Sequence, residues 1–160
     1  MKIYIIGSPA SGKTTLSKKL SEKYHIKRYE LDCIVYDDEH EHVKRTDEEI
    51  NRLFNKILKE KSWIIEDVGR SKFEKGRVEC DKIYYLKFSK QEIYKRIFKR
   101  WLKQKMGKEQ YNYPPTLSQL LNMIKIANQY SKKEPSKLKS LEKYIDKITY
   151  IDSKTNINKL

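Results

Sequence analysis

Two cysteines in 160 residues, Cys33 and Cys80, exclude a disulfide framework and, by themselves, a four-ligand zinc site. Both are expected as reduced thiols of a cytoplasmic protein. Glycine (5) and proline (4) are scarce, and no Gly/Ser linker, low-complexity tract or internal repeat interrupts the chain, so residues 1–160 are expected to form one domain. Long hydrophobic runs are missing too. Ile3-Tyr4-Ile5-Ile6 is halted by Gly7, far short of a signal-peptide core or of the roughly 20 apolar residues of a membrane span. Acidic residues are outnumbered, 22 against 36 basic ones, for a net charge of +14. The excess is uneven: residues 1–89 hold 19 basic and 16 acidic groups, and residues 90–147 hold 15 and 5, a net +10. The second half therefore expects an anionic partner, whether phosphorylated small molecules, nucleic acid or an anionic membrane surface.

What is present argues for a folded chain. Apolar residues make up 38%, with 12 Tyr, 4 Phe and 2 Trp, too many for disorder despite a charged fraction above the globular norm of about 25%. Short apolar runs alternate with long amphipathic stretches, the pattern of strands joined by crossover helices in a parallel sheet. Five strands are expected: Lys2 to Ile6, about Lys27 to Leu31 with Asp32 at its end, Trp63-Ile64-Ile65 running into Glu66-Asp67, Lys82 to Phe88, and Lys147 to Ile151. A helix is expected over Lys13 to Tyr24, and the acidic stretch Tyr36 to His42 reads as a loop. Thr46 with Glu49 opens another helix through Ile50, Leu53, Phe54, Ile57 and Leu58. Ser89 caps a third whose Ile93, Ile97, Phe98, Trp101 and Leu102 are expected to face inward, with Gly107 as its stop. Tyr111-Asn112-Tyr113-Pro114-Pro115 cannot continue it, Thr116 with Gln119 starts the next, and Pro135 is expected to break that one before a short helix carrying Leu138, Leu141 and Ile145.

One motif is specific. Gly7-Ser8-Pro9-Ala10-Ser11-Gly12-Lys13-Thr14 fits G-x-x-x-x-G-K-[ST], entered by a strand and left by a helix. In such a loop successive N–H groups and the helix N-terminus point at phosphates, the lysine reaches the β and γ oxygens, and the threonine hydroxyl ligates Mg²⁺. Gly7 to Thr14, together with Thr15, are thus the expected ATP·Mg²⁺-binding residues. Asp32 and the Glu66-Asp67 pair end strands on the side where ligands of a parallel sheet lie, and the pair is a candidate for holding Mg²⁺ or shaping an acceptor pocket. Arg96 and Arg100 are one helical turn apart and suit a basic lid, at about residues 95–116, that closes over transferring phosphates. The loop after Tyr36, with Arg45, is expected to cover an acceptor. His40-Glu41-His42 with Asp37, Asp38 and Cys33 matches no closed tetrahedral spacing, so a solvated loop is preferred to a metal site. His25 reads as structural, and the tyrosines interleaved with lysines read as packing rather than as a base-stacking surface.

The N-K-x-D motif of GTPases is absent, and motor or remodelling ATPases need longer chains. A P-loop at the N-terminus with an arginine-rich helix after the fourth strand resembles the adenylate-kinase-like small-molecule kinases. More narrowly, Ile-Gly-Ser-x-x-Ser-Gly-Lys-Thr-Thr-Leu at 6–16, Glu30-Leu31-Asp32, Lys44-Arg45-Thr46, Trp63-Ile64-Ile65-Glu66, Arg96 with Lys99-Arg100, Gln104-Lys105-x-Gly107 and Tyr113-Pro114-Pro115-Thr116 resemble the topology modulation proteins over nearly the whole chain. The departure is Glu66-Asp67-Val68-Gly69-Arg70, where that family runs into an acid followed by Gly-Asn.

The resemblance implies a three-layer α/β P-loop fold with a five-stranded parallel sheet and transfer of the ATP γ-phosphoryl group to a small acceptor, a nucleoside or nucleotide. It further implies that Asp32 orients or deprotonates the acceptor hydroxyl, that Arg70 clamps a phosphate, and that Ser153-Lys154 borders the adenine. The alternatives are a nucleotide-switched DNA-binding protein, as the family's name implies, and a simple NTPase.

Overall fold

The computed structural model describes residues 1–37, 43–109 and 114–156. In chain order these form β1 (Lys2–Gly7), α1 (Lys13–Tyr24), β2 (Arg28–Glu30), α2 (Leu31–Val35), β3 (Tyr36–Asp37), β4 (Val43–Lys44), α3 (Asp47–Leu58), β5 (Trp63–Asp67), α4 (Glu74–Glu79), β6 (Lys82–Leu86), α5 (Lys90–Lys105), α6 (Leu117–Leu141) and β7 (Ile148–Ile151). Two compact units result. One comprises Met1–Gly7, Gly12–Leu86 and the segment from Tyr144 on; the other comprises Ser8–Ser11 and Lys87–Lys143.

The first unit is built on a five-stranded sheet in the order β2-β5-β1-β6-β7, and every pair in it is parallel. The three inner strands read as near-continuous apolar runs because both of their faces are covered: Ile3 to Ile6, Trp63 to Ile65 and Ile83 to Leu86 are all buried. The edge strands are polar or half-exposed, Arg28-Tyr29-Glu30 at one side and Tyr150 at the other. Leu16 and Leu20 of α1 and Ile50, Phe54, Ile57 and Leu58 of α3 complete the core.

The second unit is held by Ile93 and Ile97 of α5 against Leu120 and Ala127 of α6, with Ala10, Phe88, Tyr94 and Trp101 packed on the cluster. Its helix ends are capped as the sequence reads. Ser89 and Glu92 form a complete capping box, Thr116 accepts from the Gln119 N–H, and α5 closes in a Schellman turn in which Gly107 and Lys108 donate to the carbonyls of Gln104 and Lys103.

Several expectations change. The second strand stops at Glu30, which places Asp32 in the first turn of α2 rather than on the strand. The fourth strand stops at Leu86, because Phe88 turns into the core of the second unit. Tyr36–Asp37 is not loop but pairs antiparallel with Val43–Lys44. Asp38, His40, Glu41, His42 and Tyr111 to Tyr113 lie outside the described residues. Helix α4, six residues of Glu-Lys-Gly-Arg-Val-Glu, is too short and too charged to show a period. Phe98 (53% exposed) and Leu102 (43%) do not face inward; Ile93, Ile97 and Trp101 share the i, i+4 row, and residues one position further on are rotated about 100° away.

Pro135 breaks nothing: α6 runs through it as one 25-residue helix, and Ile145 lies beyond that helix, exposed. The proline is exposed and Ser131, whose carbonyl it deprives of a helical partner, is half-buried. Proline inside a helix costs about 3 kcal/mol relative to alanine, offset by about 1 kcal/mol of unfolded-chain entropy. Pro135→Ala is therefore expected to stabilise the protein by about 2 kcal/mol in urea unfolding; an unchanged or lowered midpoint would mean that α6 does not need the missing hydrogen bond.

Candidate functional site

Within the first unit, Lys13, Thr14 and Ser17 project from the start of α1 toward β5. Thr14 Oγ1 donates to Glu66 Oε2 (3.0 Å) and Ser17 Oγ donates to Glu66 Oε1 (3.2 Å). These hydroxyls sit three residues apart on one helix face, which is why a single carboxylate serves both. Parallel register puts Glu30 of β2 directly beside Glu66, and Arg28 bridges the two acids, with Nη1 3.3 Å from Glu66 Oε1. Burial, then the charge of Glu30, pushes the Glu66 pKa above the usual carboxylate value, although the Thr14 and Ser17 hydroxyls and the Lys13 charge oppose the shift. Burial lowers the Lys13 pKa against the attraction of Glu66, Asp32 and Asp67. Those three carboxylates are thus the anionic surroundings of the P-loop lysine.

Asp67 is occupied differently. Its carboxylate accepts from the Arg70 backbone N–H and from Arg70 Nη1, each at 2.6 Å, and from the Tyr4 hydroxyl at 3.5 Å. The other terminal nitrogen of Arg70 donates to Asp32, whose side chain is 64% exposed. The arginine therefore spans a buried acid and a solvent-facing one. Beside it lies a cleft of about 620 Å³ lined by Val35, Tyr36, Lys44, Asp47, Asn51, Arg70 and Lys72, a volume in the range of small-molecule sites. Lys72 donates to Asp47 at 2.8 Å across this lining. Arg45 does not line it. Its guanidinium donates to the carbonyls of Cys33, Ile34 and Tyr36 and pairs with Asp37, closing the end of α2.

Within the second unit, the loop segment Ser8–Ser11 is turned by a Ser11 N–H to Ser8 carbonyl bond (3.2 Å), with Ala10 in the left-handed region at φ 61°. Arg96 Nη1 donates to the Ser11 carbonyl at 2.7 Å, and its guanidinium stacks 3.8 Å from the Phe88 ring centroid. Arg100 points elsewhere, to Glu109 at 3.2 Å. Arg96 is thus at the phosphate loop and Arg100 is not.

The residue set fits the group that a P-loop implies. Ser11 Oγ is buried with no hydrogen-bond partner among the described residues, an orphaned polar atom in the loop itself, and Thr14 with Glu66 offers only oxygen donors, the chemistry a hard divalent cation prefers. Thr15 is exposed on α1. Ser153 and Lys154 follow β7 in a turn where Asp152 accepts from the Lys154 N–H and the Thr155 hydroxyl. Cys33 is exposed and Cys80 buried, neither in a disulfide, and burial pushes the Cys80 pKa up to about 11. Tyr4, Tyr84, Tyr85, Tyr130 and Tyr144 are buried, which makes them packing residues. Among the described residues no cluster of three His, Cys, Asp or Glu side chains is arranged for a metal ion, and no helix is long and apolar enough to cross a membrane.

Sequence reasoning missed Arg28, Glu30 and Ser17 around Glu66, and Tyr4 and Arg77 around Asp67. The signals were present in two cases: Ser17 is one turn from Thr14, and Arg28 and Glu30 alternate on one face of an edge strand.

A model of the AAA domain family matches residues 3–112. No curated protein matches the sequence. Among solved structures, a gluconokinase from Sinorhizobium meliloti 1021 superposes with a TM-score of 0.58 at 12% identity, over 99% of this chain and 85% of that one. A shikimate kinase from Bacteroides thetaiotaomicron gives 0.58 at 17% identity over 86% and 82%, and a sugar kinase from Janibacter sp. HTCC2649 gives 0.53 at 15% over 99% and 88%. The fold is the three-layer α/β P-loop class that these kinases share.

Because the Glu66 pKa is raised on folding, its ionisation opposes folding. Stability is fullest below the ordinary glutamate value of about 4.3 and is lost as pH rises through the higher folded-state value. Glu66→Gln removes that loss, so the variant's melting temperature is expected to gain on the wild type between pH 4 and pH 7. A difference that does not change with pH would show that Arg28 fully compensates the buried charge.

Proposed function

The chain belongs to the AAA domain family of P-loop proteins, and from that membership and the site at the carboxyl end of its sheet we propose a Mg²⁺-dependent phosphotransferase. It moves the γ-phosphoryl group of ATP to the hydroxyl of a small acceptor such as a nucleoside or nucleotide, in the cytoplasm. The observation that carries the reading is the convergence of three groups. Lys13 of the P-loop feels the charges of Glu66 and Asp32, Glu66 accepts from Thr14, and Asp32 follows β2 at the same end of the sheet, held by Arg70. A loop that merely turned a strand into a helix would have no need of charged groups gathered there.

In this proposal the loop Gly7 to Thr14, with Thr15, holds the phosphates and Lys13 reaches their outer oxygens. Thr14 and Glu66 would hold Mg²⁺, which when bound neutralises charge between the β and γ phosphates. Asp67 is assigned to Arg70 rather than to metal, since it meets that side chain and its backbone N–H, whereas Glu66 is the acid in contact with the P-loop hydroxyl of Thr14. Arg70, with the cleft beside it, receives the acceptor, and Asp32 takes the hydroxyl proton as the acceptor oxygen bonds to the γ-phosphorus and ADP leaves. Arg96 supplies a planar cation to the phosphates from the Ser11 carbonyl; the same duty for Arg100 requires that it first exchange Glu109. Ser153-Lys154 is assigned to the adenine border, and Arg45 serves the acceptor side by fixing α2 beneath Asp32. The narrower placement among topology modulation proteins belongs to this proposal too and rests on the motifs running from 6–16 to 113–116. We favour small-molecule transfer over DNA binding because the cleft beside Arg70 has the volume of a small-molecule site.

The test is a panel of nucleosides, nucleotides, gluconate and shikimate with ATP·Mg²⁺, followed by ³¹P NMR. One phosphorylated acceptor is expected. Lys13→Ala should abolish its formation without unfolding the protein, and Asp32→Asn should slow transfer by roughly 10² to 10⁴ while ATP affinity stays within a few-fold. Arg96→Ala should lower turnover more than ATP affinity. Turnover that survives Lys13→Ala, or ATP binding that is lost in Asp32→Asn, would contradict the assignment.

A further inference from the structure

A buried arginine beneath the acceptor side is unused by the reading above. Arg77 of α4 is only 6% exposed, and a guanidinium is costly to bury unless its donors are satisfied. Its Nη1 donates to the backbone carbonyl of Arg70 at 2.9 Å, and its guanidinium lies 5.9 Å from the centroid of the Tyr4 ring. The Tyr4 hydroxyl meets both Arg77 and Asp67. Asp67 in turn holds the N–H and Nη1 of Arg70. The turn from Asp67 to Arg70 is therefore gripped through its carbonyl by Arg77 and through its N–H by Asp67, with Tyr4 between the two.

Helix α4 is placed for this task. A Cβ at Gly76 would lie 2.8 Å from Tyr4 Cε2 and 3.0 Å from Phe54 Cζ, so only glycine lets the helix settle on the Tyr4 ring and bring the next residue under the turn. The outer side of the helix is anchored by Tyr144 donating to Glu74 (3.1 Å) and by Lys147 donating to the carbonyls of Val78 and Cys80. None of these contacts is needed to close a six-residue helix; together they fix where Arg77 stands.

We propose that Arg77 is a positioning residue for Arg70: by holding the Arg70 carbonyl it sets the direction of the side chain that bonds Asp32 and borders the cleft, and so sets acceptor affinity. The functional half of this inference rests on the phosphotransfer reading; the hold on the turn does not.

The test compares wild type, Arg77→Met, Arg77→Lys and Gly76→Ala in the full chain. Amide hydrogen exchange is followed for the peptide spanning residues 68–73 and for α1, ATP·Mg²⁺ affinity is measured by titration, and KM and kcat are measured for whichever panel acceptor the wild type phosphorylates. Loss of a charge-assisted bond predicts about tenfold faster exchange in the turn for Arg77→Met, with α1 unchanged and ATP affinity within about threefold. Acceptor KM should rise about tenfold with a smaller change in kcat, Arg77→Lys should recover part of both effects, and Gly76→Ala should follow Arg77→Met. Exchange that rises equally in α1 and the turn, or not at all in the turn, would reduce Arg77 to a packing residue. Faster exchange in the turn with unchanged acceptor KM would remove its link to the acceptor. A wild type that phosphorylates nothing in the panel overturns the phosphotransfer reading and the proposed effect on acceptor affinity, while the exchange comparison still decides the hold on the turn.

Discussion

The hydrogen bonds from Thr14 and Ser17 to the Glu66 carboxylate are the contact on which the rest of the site depends. They fasten the start of α1 to β5, the strand paired directly with the one that enters the P-loop, and so fix the direction in which Lys13 leaves the helix. A buried carboxylate is a poor stabiliser unless its lone pairs are taken up. Two hydroxyls and the Arg28 guanidinium take them up here, and Glu30 beside it works the other way. The outcome is a buried carboxylate fixed at the phosphate loop by two hydroxyls and a guanidinium.

The alternation of a β-strand divides the labour of the two neighbouring acids. Successive side chains in a strand point to opposite faces. Ile5 registers with Glu66, Ile6 registers with Asp67, and Glu30 registers with Glu66, so Arg28, Glu30 and Glu66 share the face toward α1 while Tyr4 and Asp67 share the other with α4. One acid is thereby delivered to the P-loop hydroxyls and the other to Arg70. The stretch from Glu66 to Arg70 supplies a second carboxylate followed by an arginine that carries the charge outward to Asp32.

Much of this was legible beforehand for definite reasons. Continuous apolar runs gave the inner strands, capping residues gave the helix starts, and Gly7 to Thr14 gave the phosphate loop. The strand alternation that separates Glu66 from Asp67 was also in the sequence, yet treating the pair as equivalent left open which of them meets the P-loop hydroxyls. Other features were hidden because they depend on partners distant in sequence. Arg45 looks like an acceptor-facing cation until the ends of α2 are known, and Arg100 looks like the twin of Arg96 until Glu109 claims it. Pro135 misled because a long helix packed along its other positions carries an exposed proline without ending. Helix α4 escaped notice because a charged six-residue segment has no period; its meaning lies in Gly76 and Arg77, which matter only once Tyr4 is seen beneath them.

The central claim is that Glu66, and not Asp67, is the carboxylate that serves the metal of the bound nucleotide. Calorimetric titration of ATP with and without Mg²⁺, on wild type, Glu66→Gln and Asp67→Asn, tests it most directly. The account predicts that Mg²⁺ tightens ATP binding by wild type and by Asp67→Asn alike, and that the gain is largely lost in Glu66→Gln while metal-free ATP binding is kept. Loss of the Mg²⁺ effect in Asp67→Asn with its retention in Glu66→Gln would contradict it.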